Sequence, residues 1–451
     1  MKFAIYSVIS QLEGLPLAIK LQEEGYDCVV FLMEEKLADP EAKPDRSKHA
    51  EMTRPLYAYV GNGLVTKSKA PRKPVGNTLK DRLIVFDFNY GVCYANVLRD
   101  LGYEGLMPEE WAYRLERQRN LATEFVRERY RTLCLPEEQS CPPNSADKIR
   151  AYLDKSKDVW CIKPDSEDLT VFVPNTRAET WRMEQDRYLK ENAKDLNKVS
   201  IQLQRRVQGY EVDVETWYRN GYPILANVDL ENKNMFAGDL PPQTGCAGDL
   251  VFTIPIDSQL RRICNAPFDK FAQAAKFTGV MDANVIFEKE THRPYFLEFC
   301  SGRFGYNALF TFLDKLQGNI GKFLTLAITG EPAVVIPPSV GASVRIFDTS
   351  HYENLLRQPT KFRTMTTKDL KPVWLWDCFK IGDTIKIAGA NANTCVVTAS
   401  ANTAGDALKE VKQRALGVSF EGSYFRYDID SRDGNWSILN RSDYLRTRGF
   451  L

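Results

Sequence analysis

The sequence predicts a mixed α/β protein: an open α/β sheet at the amino end, a strand-dominated middle, and a small mixed unit at the carboxyl end. Three observations carry that expectation. Residues 2–33 run strand, loop, helix, strand, the opening of a wound sheet. Residues 158–260 are rich in alternating apolar runs broken by glycine-bearing turns. The chain from 331 onward starts on the Pro-rich "EPAVVIPPSVGASVRIF" and then mixes short strands with one helical pattern.

In order, "KFAIY" (2–6) reads as a buried strand, and Leu15, Ala18, Ile19 and Leu21 space as a helix ending near Gly25. "CVVFLM" (28–33) is a second strand. Residues 34–80, rich in Lys, Pro, Asp and Gly, read as a long excursion before "LIVFDFN" (83–89) and a helix over 95–103. Trp111, Leu115, Ala122, Phe125 and Val126 predict one helix over 108–133, followed by a loop over 135–145. Strands are expected at 159–163, 199–204 and 210–218, the last turning at Arg219-Asn220-Gly221 into "YPILANVDL". "GDLPPQTGCAGD" (238–249) reads as a Gly/Pro loop, and residues 279–300 as a hairpin. Thr403 and Asp406 would cap a helix carrying Ala407, Leu408, Val411 and Ala415.

The bulk numbers exclude several classes. With 451 residues, 43% hydrophobic and 26% charged, the chain has the composition of a globular protein with large cores. A formal charge of +1 gives no general attraction to nucleic acid or membrane. No apolar run approaches the roughly 18 residues of a membrane span, and the amino end lacks a signal-peptide pattern. Ten cysteines without a C-x-x-C pair fit free thiols in a reducing compartment, and the cytoplasm is the expected location. Only three histidines are present, so acid–base work would fall to carboxylates or to a substrate.

Four stretches offer chemistry. Lys163 ends the strand "VWCIK" before Pro164-Asp165-Ser166, either as a solvent-facing strand end or as a point charge for a phosphate. Glu211, Asp213 and Glu215 share one strand face, which is either wet or turned to a cleft. The hairpin at 279–300 would bring Asp282 or Asn284 near Glu298 and Cys300. Oxygen ligands grouped in this way suit Mg²⁺. Arg303 follows with a guanidinium fork for an anion. The loop at 238–249 could present backbone N–H groups or simply connect two elements.

Taken together, these features resemble the ATP-grasp ligases and, among them, phosphoribosylamine–glycine ligase. "PPQTGCAGD" (241–249) is similar to that family's "GPNTGGMGAY"-like substrate loop and retains Pro242, Thr244, Gly245 and Gly248. "YFRYDID" (424–430) is similar to its "YRRDIG"-like tail, and "LERQRNLAT" (115–123) to its "LEGSKAFAK"-like helix. The resemblance implies an ATP-grasp fold divided at 1–106 (an α/β domain), 107–330 (the ATP-grasp domain, with a lid near 130–205) and 331–451 (a C-terminal domain). It implies a monomeric or homodimeric ligase that uses ATP and Mg²⁺. Such an enzyme joins glycine or another small amino acid to phosphoribosylamine or a related amine through an acyl phosphate. A different amine acceptor, or nucleotide binding without ligation, are the alternatives.

Residue roles follow from the same resemblance. Lys163 and Arg119 would bind phosphates, Arg119 standing where the family has a lysine. Gln204, Arg205 and Val207 would form the hinge that reads adenine, and Glu211 would bind ribose. Glu298 would be the principal Mg²⁺ carboxylate, with Asn284 and Cys300 beside it. Arg303 would act in catalysis, as would Asp229, placed at the aspartate of the family's "DHK" stretch. The chain departs from the pattern at Cys300, where asparagine is expected, and at "PDSEDLTVF" (164–172), which has acids where the family has glycines.

Overall fold

The computed structural model describes all residues except 10–11, 35–36, 38–51, 75–78, 166–168, 170, 175–179, 303–305, 352–361 and 435–436. Its first sheet is parallel, in the order β3-β2-β1-β4-β5. The strands are β1 (Lys2–Val8), β2 (Asp27–Met33), β3 (Thr66–Lys69), β4 (Arg82–Phe86) and β5 (Gly105–Leu106). Helices α1 (Gly14–Glu23) and α2 (Val92–Asp100) connect them. Strand β1 is central and, apart from Lys2, buried throughout, as a strand covered on both faces must be. The excursion at 34–80 is therefore not wholly irregular. It supplies β3, whose "TKSK" alternation is too polar to announce a strand and which pairs only with β2 at the sheet edge.

The helix expected over 108–133 is two helices, α3 (Glu110–Arg117) and α4 (Arg119–Arg129). Gln118 interrupts them with φ −99° and ψ 88°. The apolar spacing continues across the break, which is why the sequence reads as one helix. The break makes Arg119 the first residue of a new helix.

A three-stranded antiparallel sheet follows, in the order β6-β8-β7: β6 (Glu138–Cys141), β7 (Trp160–Pro164) and β8 (Ile201–Arg205). Helices α5 (Ala146–Lys155), α6 (Trp181–Glu191) and α7 (Ala193–Leu196) accompany it. Its own small core holds Ile149, Leu153, Trp160, Ile162, Leu189 and Leu203. The segment 135–145 thus contains a strand inside the expected loop. Its register, Glu138↔Gln204 to Cys141↔Ile201, depends on long-range pairing and not on local pattern.

The largest sheet has nine strands, in the order β13-β12-β9-β10-β11-β14-β18-β15, with β19 also on β14. Its strands are β9 (Gly209–Arg219), β10 (Tyr222–Phe236), β11 (Leu240–Ile254), β12 (Gly279–Glu288), β13 (Pro294–Ser301), β14 (Val340–Asp348), β15 (Val373–Leu375), β18 (Asn393–Ala401) and β19 (Ser423–Tyr424). Strands β16 (Cys378–Ile381) and β17 (Thr384–Ile387) form a separate hairpin. The expected turn between β9 and β10 is tight, with Asn220 at φ 46° and Gly221 at φ 84°, the left-handed pair that suits a two-residue hairpin. The expected loop at 238–249 is instead largely strand β11. It pairs with β10 through Asn232↔Gly248, Asn234↔Gln243 and Phe236↔Leu240; one register shift spans residues 244–247 and the other spans Pro241 and Pro242. Proline cannot donate to a ladder, so an irregular edge is where a strand tolerates it.

Strands β14, β18 and β15 extend this same sheet, so the carboxyl-terminal segment shares a ladder with the middle of the chain. The helices that follow among the described residues include α8 (Gln259–Cys264), α9 (Asp269–Ala275), α10 (Tyr306–Asp314), α11 (Ile320–Thr329) and α12 (Ala404–Leu416). A further helix, α13 (Ile438–Thr447), packs near β9 and β10. The Thr403 cap is present, its Oγ1 accepting the Asp406 N–H at 3.1 Å. The first unit is tied to the middle by Glu24, whose two carboxylate oxygens accept the N–H groups of Ile320 and Gly321 at 2.9 Å, at the start of α11. Asn89 makes a second tie, donating to Glu116 at 2.7 Å and to the Ser301 carbonyl at 2.9 Å. All ten cysteines are free thiols. Among the described residues, no helix is long and apolar enough to cross a membrane.

Candidate active site

Alternation along four adjacent strands puts one polar row on one face of the large sheet. Across it, Asp229 on β10 pairs with Asp213 on β9, Asp213 with Asn284 on β12, and Asn284 with Glu298 on β13. Residues two positions along share this face, which adds Glu211, Glu231, Lys233, Asp282 and Cys300. The hairpin expected at 279–300 therefore forms, with Asn284 opposite Glu298 and Asp282 opposite Cys300. Asn284 Nδ2 donates to the Cys300 sulfur at 3.5 Å.

Two cations approach this row from outside the sheet. Arg119, at the start of α4, stands 3.7 Å from Glu298. Lys163, on β7 of the small sheet, is buried and lines a cleft of ≈ 490 Å³ together with Arg119, Gln202 and Ser200. Burial, then the neighbouring Arg119 charge, lower the Lys163 ammonium below its usual range, while Glu298 and Glu211 act in the opposite sense. A third cation, Lys233, sits 2.6 Å from Glu211 and 4.0 Å from Glu231. Burial opposes its charge, yet Glu211, Asp213, Glu231 and Glu298 hold it protonated, well above the ordinary lysine range. In return, burial would raise the Glu211 carboxyl, but the Lys233 ammonium keeps it low. The centre is thus three cations interleaved with carboxylates, a set suited to a polyanion that arrives with its own cation.

The segment between the two sheets has a matching feature. Gln204 is buried on β8, and the backbone N–H groups of Arg205 and Arg206 are engaged by Glu137 and Val159. Val207, buried at the crossing into β9, has no backbone hydrogen-bond partner among the described residues. Its N–H and C=O are one donor and one acceptor on the same residue, four positions before Glu211.

The β11 residues do not all share this face: Asp249 stands opposite Glu231, whereas Gly248 stands opposite Asn232 on the other side of the sheet. Thr244 Oγ1 donates to the Lys233 carbonyl at 3.0 Å, and the Thr244 carbonyl accepts from the buried Arg345 at 3.2 Å. Gly245 has φ 78°, which disfavours any side chain. Gly248 is packed so closely that a Cβ would meet Ile429 Cδ1 at 2.7 Å and the Ser343 carbonyl at 2.9 Å. Pro242 stands at the irregular edge of the ladder. Arg303 lies outside the described residues.

The sequence reading passed over Lys233, Glu231 and Asp249. The signal was available, since Asn227, Asp229, Glu231 and Lys233 repeat at period two along β10. Lys233 stands two residues after Glu231 and four after Asp229, so the acid-x-Lys spacing falls on Glu231. Asp249 was hidden inside a supposed loop. Arg441 on α13 was equally invisible: it donates to the carbonyls of Glu211 (3.2 Å) and Glu231 (2.6 Å) and to Asn232 Oδ1 (2.9 Å), latching β9 to β10 from behind the site.

No protein-family model matches the chain, and no curated protein matches it in sequence. Its architecture does match solved structures. Phosphoribosylamine–glycine ligase from Thermotoga maritima aligns with a TM-score of 0.65 and 15% identity, over 94% of this chain and 99% of that one. The biotin carboxylase domain of Hydrogenobacter thermophilus 2-oxoglutarate carboxylase, solved with MgADP, ADP and bicarbonate, aligns at 0.59 and 10% identity, over 100% and 96%. A biotin carboxylase complex with β,γ-ATP from Campylobacter jejuni aligns at 0.55 and 10% identity, over 100% and 97%. The chain has the ATP-grasp fold. The row from Glu298 to Asp229 runs across the nine-stranded sheet, which forms the floor beneath the cleft residues Lys163 and Arg119.

The residues beside Glu298 can be tested for a hard dication. Glu298 offers a carboxylate, and Asn284 offers a buried Oδ1 that accepts no hydrogen bond. The Cys300 thiol is a poor Mg²⁺ ligand. Two protein oxygens are enough for Mg²⁺, which keeps several waters and completes its shell with phosphate oxygens. The fit is to a dication carried in on phosphates.

Proposed function

We propose that this protein is an ATP-dependent carboxylate–amine ligase. One observation carries the reading: Lys163 and Arg119, on elements outside the floor, converge on Glu298 and Glu211 of the floor strands. That arrangement neutralises a triphosphate from two sides and fixes its terminal group beside a row of carboxylates. Val207 would hold the base through its backbone, and Glu211 the ribose hydroxyls. Lys163, Lys233 and Arg119 would take up the phosphate charge. Glu298 and Asn284 would hold Mg²⁺, which supplies charge neutralisation between phosphate oxygens.

The chemistry is transfer of the terminal phosphoryl group to a carboxylate, then attack of an amine on the acyl phosphate with release of phosphate. Glycine or another small amino acid is the proposed carboxylate, and phosphoribosylamine or a related amine the proposed acceptor. Pro242, Thr244 and Gly245 would shape the acceptor site, with Gly248 supporting the strand from its other face, and Asp229 and Arg303 would act in catalysis. Coupled assay of ADP release, run over small amino acids crossed with candidate amines, tests this. ADP formation that requires both partners supports it, and nucleotide binding with no turnover for any pair overturns it.

A second reading is favoured by Cys300 alone: nucleotide binding without ligation. If Cys300→Asn creates turnover that the native chain lacks, that reading holds. If Glu298→Ala abolishes turnover already present, it fails.

A further inference from the structure

The floor carries a second group of acids, separate from the pair at Glu298 and Asn284. One ligand oxygen each from Asp213, Asp229 and Glu231 lies within 4.8 Å of the others. Asp213 and Asp229 are directly paired across β9 and β10, 3% and 4% exposed, and Glu231 follows on the same face. Oδ1 of Asp213 and Oδ1 of Asp229 are buried and accept no hydrogen bond. Such atoms are costly to bury unless something compensates them.

A fourth carboxylate gives an independent indication. Asp249 on β11 is fully buried and stands opposite Glu231 in the ladder. Its Oδ1 accepts from Thr311 at 2.8 Å, while Oδ2 has no partner. Lys233 compensates only one side of the group, since its closest ion pair is with Glu211 at 2.6 Å and Glu231 is 4.0 Å away. Four acids on three neighbouring strands, with three buried oxygens left without donors, call for positive charge at their centre.

We propose that Asp213, Asp229 and Glu231 form a site for a hard divalent cation of Mg²⁺ or Mn²⁺ type, distinct from the nucleotide's own cation, with Asp249 behind them. All the donors are oxygens, the chemistry that such ions select over softer ligands. The site lies two strands (Asp213) and three strands (Asp229, Glu231) from Glu298 in the row Asp229–Asp213–Asn284–Glu298, so it can be filled without nucleotide. Its occupant would sit on the floor beyond the phosphates, where it would add to Lys233 in offsetting the acids that face a carboxylate substrate.

The test is Mn²⁺ binding to the full chain without nucleotide, followed by electron paramagnetic resonance of free Mn²⁺ and by calorimetry up to about 1 mM. One bound Mn²⁺ is expected, competed by Mg²⁺, retained in Glu298→Gln, and weakened about tenfold or more in Asp213→Asn and Asp229→Asn. Should either aspartate variant fail to give a cooperative melt, Glu231→Gln is read in its place. Absence of Mn²⁺ binding, or binding that Glu298→Gln removes and the cluster variants leave intact, overturns the proposal. Metal-free stabilisation by methylammonium that is lost in Asp229→Asn, without Mn²⁺ binding, also overturns it and assigns the cluster to an ammonium group.

Discussion

Arg119 and Glu298 meet at 3.7 Å although one opens a helix and the other sits in the edge strand of the floor, and both stay partly open, at 30% and 45% side-chain exposure. An ion pair this open adds little to folding. Glu298→Gln should therefore leave the melting temperature nearly unchanged, a change within about 0.5 kcal/mol. It should weaken binding of a non-hydrolysable ATP analogue with Mg²⁺ about tenfold or more, about 1.4 kcal/mol. Titration calorimetry beside thermal unfolding separates the two effects, and equal affinity in the variant would remove Glu298 from the site.

Lys163 makes the opposite case. It is buried, and burial lowers its ammonium pKa, so the cation is held at a cost to folding. Lys163→Met should unfold no more easily than the native chain, and should bind the ATP analogue about thirtyfold more weakly, about 2 kcal/mol. A large loss of stability with nucleotide affinity intact would make Lys163 structural.

Asp87 gives a pH signature. It lies just past β4, accepts from Ser7 Oγ and takes the Gly14 N–H at 2.6 Å. Burial, then the charge of Glu13, push its carboxyl from 3.8 up to about 8 against those hydrogen bonds. The folded chain therefore holds this proton more tightly than the unfolded chain does. The resulting stability is fully present below the ordinary carboxylate pKa and is lost as pH rises toward about 8. The slope from this group is at most about 1.4 kcal/mol per pH unit. Asp87→Asn should flatten the fall in stability between pH 5 and 8, measured by urea unfolding at several pH values. An unchanged slope would show that Asp87 does not titrate in that window.

Gly248 tests the packing of β11. A Cβ there meets a side-chain methyl at 2.7 Å and a backbone carbonyl at 2.9 Å. Gly248→Ala should cost about 1–3 kcal/mol of stability. Adding Ile429→Val removes the methyl but not the carbonyl, so it should restore only part of the loss. Complete restoration would place the strain wholly in the side chain.

The elements that local pattern could reveal were legible, and those that depend on partners were not. β1 and β9 showed in their apolar alternation, and Asn220-Gly221 in its turn chemistry. β3 and β6 did not, because "TKSK" and "EQSC" are strands only by virtue of the neighbours they pair with. β11 was masked by its prolines and glycines, which usually signal loops. In the site, Glu211, Asn284 and Glu298 were readable from period-two strands. Lys233 lies in the same alternation, but within the polar run "ENKN" no apolar neighbours mark its face. The helix break at Gln118 carries no glycine or proline to mark it, yet it is what brings Arg119 to Glu298.

The latch formed by Arg441 sets a timetable for the site. Its guanidinium reaches a carbonyl made 210 residues earlier in the chain, at Glu231. At ribosomal speeds of roughly 5–20 residues per second, those residues take about 10–40 s to appear. During that interval β9 and β10 can pair, but their backs are not yet fastened together. A nascent chain therefore holds an unfinished acidic floor for about 10–40 s, until α13 emerges and closes it.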